Sequence, residues 1–460
     1  MKENYEIKHL DKFMPYPFVD NGNKESDNRV YGQIYLEEIS FWGNNEGGKI
    51  RISASLVNEV MINMEYEALD TPNTPLFFYE FIGEATFNDS SELEKYRLMF
   101  WESELFYRFR IIDIGASEVD MEIIREEYKR DVAFIGEITF SASPILTHKV
   151  IIIVDEFSAD KDEKAYKKLK ATYDNWDITR RSQCVYDEKE IQKELNNLFG
   201  NKVVCRNVCI YNVGQANCCY CDLDTKKLFF DIGVTRSSVD IKNTLVSKAI
   251  NEVSKLDVDA VVLSHWDLDH ILGVCYNQKC LFDKMWIVPD FEKLYSTPRL
   301  SIKRLCNYLL MNGKSKLLMV NTAEVNKELF ISSNGAVAIY KGTPKAAYGI
   351  NKMNNGGLIM KLQNRRNILL PGDCENSVIP VNAAGVEYDN VVIPHHGSVM
   401  SDPKVEGKKG KRNTAYICCG NVTGNCIMDS EIVDKYNAKG FDIVHKTKNL
   451  KRKNKFKINL

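Results

Sequence analysis

VVLSHWDLDHILG, residues Val261–Gly273, decides how the second half of this chain is read. An apolar, β-branched run ends at Ser264, and four ligand-type side chains follow at once: His265, Asp267, Asp269 and His270. The run reads as a buried strand. DLDHILG reads as a helix start, with Asp267 or Asp269 near the N-cap. A bend between strand and helix turns alternate side chains toward one point. Imidazole and carboxylate together suit a borderline or hard divalent ion. A second stretch, VVIPHHGS (Val391–Ser398), places His395 and His396 directly after another apolar strand. The chain has only 7 His, so finding four of them at two strand ends points to a site. In open α/β sheets, strand ends are where ligands and chemistry gather. A third strand, ILLPGDC (Ile368–Cys374), ends in Asp373. Its carboxylate has two oxygens and can bridge two ions about 3.5–4 Å apart.

Around these segments the pattern is α/β. VVCRNVCIYNVG (Val203–Gly214), NCCYCDL (Asn217–Leu223) and KLFFDIG (Lys227–Gly233) read as a three-stranded meander. A helix is predicted near Ser238–Lys255, followed by the strand DAVVLS. Further strands are predicted at LIMKLQ, NILLPGD, NVVIPHH, AYICCG and DIVHKT, with helices near Arg299–Asn312 and Asp429–Lys439. Apolar strands separated by helices imply a sheet covered by helices. Residues 1–158 read instead as an acidic, β-rich α+β domain. Its strands are signalled by FFYEFIGEATF, RFRIIDIG and KVIIIVDEF, and helices are predicted near Ser90–Glu104 and Asp120–Arg130. Residues 159–200 carry helical periodicity with opposite charges at i,i+4 and read as a helical connector. The catalytic-type motifs all fall in 201–460.

At 44% hydrophobic and 27% charged, the chain is neither disordered, collagen-like nor a disulfide miniprotein. No apolar run approaches the ~18 residues of a membrane span, and MKENYEIKHLDKF carries no secretory h-region. With 13 Cys, an odd number, a reducing cytoplasm is the expected setting and no membrane partner is expected. Most of the cysteines read as small buried apolar residues. The net charge of -2 hides an asymmetry. Residues 1–200 hold 24 Lys and Arg against 39 Asp and Glu, and the remainder is strongly basic. The basic half would attract a polyanion, or the two halves each other. KVEGKKGKR (Lys404–Arg412), with Lys408, Lys409, Lys411 and Arg412, follows closely on the HHGS turn. Arg299, Lys303 and Arg304 share one predicted helix, and KTKNLKRKNKFK forms a basic tail. These groups are candidate nucleic-acid contacts or solvated surface.

In order and spacing these motifs resemble the metallo-β-lactamase superfamily, most nearly the hydrolase domain of the competence DNA-uptake (ComEC-like) proteins and its stand-alone relatives. The likeness covers roughly residues 203–447. YNVGQAN resembles that family's D-V-G-Q-G-D turn, and SHWDLDH its S-H-x-D-x-D-H. NNGGLIM, LLPGD and IPHHGS resemble N-N-x-S-L-V, L-L-T-G-D and V-P-H-H-G-S. FFDIG resembles the strand whose Asp orients the metal loop, and SEIVDKYNAKGFDIVHKT its C-terminal end. The resemblance implies a metallo-β-lactamase αββα sandwich holding one or two divalent ions. By the same resemblance His265 and Asp267 hold one ion, Asp269, His270 and His396 the other, and Asp373 bridges them. Asp231, with Ser264 and Ser398, supports these ligands from behind. Asp269 counts as catalytic as well as a ligand, and His395 or His445 is a candidate proton carrier. Two departures matter. Asp267 stands where the superfamily has its second His, and no His lies between His270 and His395. The oxygen-rich set favours Mn²⁺ or Mg²⁺ more than an all-imidazole set would, with Zn²⁺ also a candidate. In the turn, Asn212 and Asn217 replace acids.

The expected activity is metal-dependent hydrolysis of phosphodiesters, DNA or RNA first, in defence against foreign nucleic acid. Alternatives are a small nucleotide or ester substrate, or a binding and assembly protein with a degenerate metal site. The N-terminal domain is expected to recognise a protein partner or to assemble the chain into an oligomer.

Overall fold

The computed structural model describes the strands within 29–44, 47–57, 79–87, 106–113, 132–140 and 147–154. It also describes 186–460 apart from 201, 236–239, 241–242, 277–280, 291–304, 307–308, 310–315, 322–327, 346–351 and 421–430. The chain divides into two compact units, the first made of 1–178 and 299–305 and the second of 179–298 and 306–460.

In the first unit, β1 (Arg29–Asn44), β2 (Gly47–Val57), β3 (Tyr79–Phe87), β4 (Phe106–Asp113), β5 (Val132–Phe140) and β6 (Thr147–Val154) form a closed barrel. Its strand order is β1-β2-β3-β5-β6-β4, and every pairing is antiparallel. Closure removes the exposed edges that an open sheet would leave. The helices predicted near Ser90–Glu104 and Asp120–Arg130 lie outside the described residues.

The second unit opens with α1 (Glu188–Phe199), started by a capping box between Asp187 and Glu190. Three antiparallel strands follow: β7 (Asn207–Tyr211), β8 (Cys218–Asp222) and β9 (Lys227–Ile232). After α2 (Thr244–Val253), capped by Asn243, the sheet continues in parallel through β10 (Ala260–Val262). The short α3 (Leu268–Ile271) leads on to β11 (Met285–Pro289) and β12 (Lys316–Val320), again parallel. Of the helix predicted near Arg299–Asn312, Leu305, Cys306 and Leu309 are described, all helical.

The second sheet begins with β13 (Glu328–Ile331), β14 (Val337–Lys341), β15 (Leu358–Gln363) and β16 (Asn367–Leu370), all antiparallel, with α4 (Lys352–Asn355) between β14 and β15. After α5 (Val381–Ala384) and a small pair, β17 (Glu387–Tyr388) with β19 (Glu406–Gly407), it adds β18 (Asn390–Val392), β20 (Thr414–Ile417) and β21 (Ile443–Lys446) in parallel. α6 (Ile432–Ala438) precedes β21. The last strand, β22 (Lys455–Asn459), returns to pair with β7 in the first sheet. Two seven-stranded sheets result, ordered β12-β11-β10-β9-β8-β7-β22 and β13-β14-β15-β16-β18-β20-β21.

The sheets pack face to face. Val208, Ile210, Phe230 and Val262 of the first meet Ile339, Met360, Leu370 and Val392 of the second in one core. The outer face of the second sheet buries Leu369, Val391 and Ala415 against Ile432 and Tyr436 of α6. On the first sheet, Tyr211 donates 2.8 Å to Glu252 of α2, whose Val246, Ala249, Ile250 and Val253 are buried at helical spacing. This is an αββα sandwich. Its two open sides are closed differently. Phe199 of α1 stacks on Phe330 at β13, and Ile191 and Leu195 enter the core. On the opposite side, His445 of β21 stacks on Phe456 of β22 at 5.1 Å and lies against Tyr416. No helix among the described residues is long and apolar enough to cross a membrane.

Candidate metal centre

The strands β9 and β10 of the first sheet, and β16, β18 and β20 of the second, end on one side of the sandwich. Parallel pairing within each group puts their C-terminal ends together. Each end delivers polar side chains. Ser264 and His265 follow β10, Asp373 follows β16, and His395 and His396 follow β18. Asp267 has the extended conformation of an N-cap before α3, which carries Asp269 and His270 on its single turn.

Backbone strain marks the same spots. Asp231, His395 and His396 have φ of 56°, 48° and 55°, values side chains with a Cβ seldom adopt. Packing is equally tight. A Cβ at Gly233 would lie 1.7 Å from the carbonyl oxygen of Asp269, so only glycine lets β9 reach the α3 turn.

Hydrogen bonds orient His265, His270 and His396. Asp231 is fully buried and accepts from the Ser264 N–H at 2.6 Å and the Ser264 hydroxyl at 2.8 Å. It also accepts from His270 Nδ1 at 2.8 Å. The Ser264 hydroxyl proton is thus committed, and its lone pair receives His265 Nδ1–H at 3.0 Å. His396 Nδ1 donates to the Cys418 carbonyl at 2.8 Å. All three rings therefore present Nε2 to the cluster, where each faces a carboxylate oxygen. His265 Nε2 is 3.3 Å from Asp267 Oδ2, His270 Nε2 is 3.2 Å from Asp373 Oδ1, and His396 Nε2 is 3.0 Å from Asp269 Oδ2. Asp373 Oδ2 lies 3.9 Å from both His265 and His396.

A lone pair opposed to a carboxylate needs a cation between them, either a proton or a metal. Burial alone would lower the pKa of His270 and His396. The nearby carboxylates outweigh it: Asp373 and Asp231 hold His270 well above the usual imidazole value, and Asp373 and Asp269 raise His396. Asp269 and Asp373, despite a burial effect in the other direction, sit below the carboxylate range because these histidines face them. The field is that of a cation site. Two sets, His265 with His270 and Asp373, and Asp269 with His270 and His396, each offer ligand atoms within 4.8 Å of one another. Atoms about 2.1 Å from one ion lie roughly 3.0–3.4 Å apart, the spacing of the three facing pairs. His270 Nε2 is buried and makes no aligned hydrogen bond among the described residues, as expected of a nitrogen reserved for a metal. The residues present therefore fit one or two divalent ions. Asp231 backs His270 in the way outer carboxylates orient metal-binding histidines.

His395 stands at the rim. Its side chain is 25% exposed, and its Nε2 lies 3.8 Å from Asp373 Oδ2. Burial lowers its pKa against the pull of Asp373. The Ser398 N–H donates to the His395 carbonyl at 2.9 Å and closes the turn. His445, a candidate proton carrier, takes no part in the cluster's hydrogen bonds or ion pairs among the described residues. Its ring closes the β21/β22 side of the sandwich instead.

The basic run also lies elsewhere. Lys411 and Arg412 precede β20, so they border the N-terminal ends of strands whose C-terminal ends hold the cluster. With Arg366, Asp389, Thr414 and Ile443 they line a cleft of about 520 Å³. Lys408 pairs with the buried Asp389, while Lys409 is exposed. At about 3.3 Å per residue, the four-residue β20 puts roughly 13 Å between Lys411 and Arg412 and the strand ends that carry the cluster. Part of the tail is spent as well, because Lys455 pairs with Glu252. Arg299, Lys303 and Arg304 lie outside the described residues.

Asn217 is more than a replaced acid, because it touches the cluster: its Nδ2 donates to Asp373 Oδ1 at 3.3 Å. The signal in the sequence is that an amide in place of an acid can still bond to a carboxylate.

No family model and no curated protein matches the chain. Among solved structures it is similar to CmlA, a diiron beta-hydroxylase from Streptomyces venezuelae, at 14% identity over 55% of this chain and 54% of that one, with a TM-score of 0.33. It is also similar to a diphosphatase from the PhnP family, at 10% identity over 56% of this chain and 100% of that one, with a TM-score of 0.32. The chain spans about half the length of the CmlA chain it matches.

Proposed function

We propose that the second unit is a metal-dependent phosphodiesterase of the metallo-β-lactamase fold, acting on DNA or RNA. One observation carries this reading: strand ends from both sheets bring His265, Asp267, Asp269, His270, Asp373 and His396 together, each histidine turned by an outer partner so that Nε2 faces a carboxylate. Divalent ions held there would make water nucleophilic near neutral pH and stabilise the entering and leaving oxygens at phosphorus. Asp373 reaches both groups of ligands from one side chain. Asp231 keeps the Nδ1 proton on His270. His395, partly exposed and beside Asp373, is placed to carry a proton between the leaving oxygen and solvent.

The test is incubation of the full chain with single- and double-stranded DNA and RNA in Mn²⁺, Mg²⁺ or Zn²⁺, beside Asp269→Ala and His270→Ala. Cleavage by the wild type and its loss in both variants is expected. Cleavage that survives both changes would overturn the assignment.

A small phosphodiester or ester is a second reading. The placement of Lys411 and Arg412 at the far ends of the strands favours it, since that run does not extend the site as a polyanion track. Salt separates the two. Polymer cleavage below saturation should fall by orders of magnitude between low and moderate salt, and small-substrate turnover far less.

A further inference from the structure

Asn217 ties together three segments that carry the cluster. It ends the YNVGQAN turn and leads into β8. Its backbone N–H donates to the Asp269 carbonyl at 3.2 Å, and its own carbonyl accepts from the Gly233 N–H at 2.6 Å. Its side chain reaches Asp373 Oδ1, the same oxygen that lies 3.2 Å from His270 Nε2. The amino end of the carboxamide thus stands 3.3 Å from the central carboxylate of the site.

The residue is 5% exposed, and its Oδ1 is buried with no hydrogen-bond donor among the described residues. A buried acceptor without a partner loses its hydration with nothing in return. A neutral oxygen in this place meets a need. Asp231, Asp269 and Asp373 already crowd the pocket with negative charge, and a further carboxylate would add repulsion. Carboxamide oxygens are good ligands for hard ions. In the structure the amino end faces Asp373 and the oxygen is the opposite end; a half-turn about χ2 exchanges the two, giving up the Nδ2 hydrogen bond and bringing the oxygen beside Asp373 for an ion held there.

We propose that Asn217 is a further ligand of this centre, giving a neutral carboxamide oxygen to a divalent ion beside Asp373. The inference rests on reading the cluster as a metal centre, and it assigns a site to a residue outside the His and Asp motifs. It implies a centre tuned for weak, exchangeable binding of a hard ion, because one oxygen carries no charge.

The test is Mn²⁺ titration of the full chain, followed by calorimetry and by the EPR signal of free Mn²⁺. Wild type is compared with Asn217→Asp and Asn217→Leu, with thermal melts to confirm folding. A ligand role makes Asn217→Asp bind Mn²⁺ at least tenfold more tightly and Asn217→Leu at least tenfold more weakly. Should the Leu variant not fold, Asn217→Ser, too short to reach, takes its place with the same expected loss. Weaker binding in Asn217→Asp as well would show that the carboxamide only donates to Asp373, and would overturn the proposal. Wild-type affinity in both variants would overturn it too. Failure of the metal-centre reading looks different: the wild type itself would take up no Mn²⁺, Mg²⁺ or Zn²⁺.

Discussion

The strands of the second sheet carry opposite chemistry at their two ends. At the C-terminal ends of β16, β18 and β20 the polar groups are buried, strained and mutually oriented. Asp373 and His396 are 3% and 2% exposed, and His396 is held from behind by the Cys418 carbonyl. At the N-terminal ends of the same strands, Arg366, Lys411 and Arg412 are exposed around an open cleft. The first end is built as a site, at a cost in desolvation and backbone strain that only a bound cation or proton offsets. The second costs little, since exposed cations keep their water. Charge alone, read along the sequence, does not separate these two situations; burial and orientation do.

The strongest way to break this contrast is at the buried end. Asp231→Asn removes the carboxylate that receives His270 Nδ1–H and both Ser264 donors. Metal affinity should fall about 10–100-fold, the usual cost of losing an outer carboxylate, with the fold retained. Calorimetric titration of the variant checks it, and unchanged affinity would mean that His270 is not oriented through Asp231.

A smaller effect is expected at the open end. Charge reversal of Lys411 and Arg412 should weaken binding of a nucleic acid about tenfold at low salt and lower the salt slope by roughly one for each phosphate no longer neutralised. Hydrolysis of a small chromogenic phosphodiester should stay within twofold. Fluorescence anisotropy at several salt concentrations measures the first, and a plate assay the second. Equal loss in both assays would erase the distinction between the ends.

The smallest effect concerns stability. Burial would raise the Asp389 carboxyl, but Lys408 and the Asn367 N–H outweigh it and hold the pKa below the usual value. A depressed folded pKa gives stability that is present above about pH 4 and lost as pH falls through the folded value. Lys408→Ala should therefore lower Tm by about 2–4 °C near pH 7, roughly 1 kcal/mol for a domain of this size. The gap to wild type should close as the pH drops below about 4. Thermal melts across pH follow it, and a gap that widens in acid would contradict the pairing.

Much of the buried end is legible in the sequence because its signals are local. An apolar strand followed by His and Asp at short spacing places ligands at a strand end, whatever lies between the segments. Asp231 is legible only through the resemblance of FFDIG to the strand whose Asp orients the metal loop. Other features depend on residues far apart in sequence. Closure of β1–β6 into a barrel follows from pairing β1 with β4, which strand periodicity does not reveal. β22 is hidden by its lysines. KFKIN alternates Lys with Phe456 and Ile458, and that alternation marks an edge strand, while the charge count suggests only a basic tail. His445 stands near the end of β21 as a proton carrier would, yet its ring is taken by Phe456 of a strand from the other sheet. The basic run is near HHGS in sequence, but the chain crosses to the other end of the sheet before reaching it.

The most direct test of the metal centre is a crystal of the full chain grown with Mn²⁺, with anomalous scattering recorded at the manganese edge. The expected result is a peak within coordinating distance of His270 Nε2 and Asp373, with a second near His265 and Asp267 if two ions bind. Saturating Mn²⁺ with no anomalous peak among these side chains, or a peak only on surface carboxylates, would contradict it.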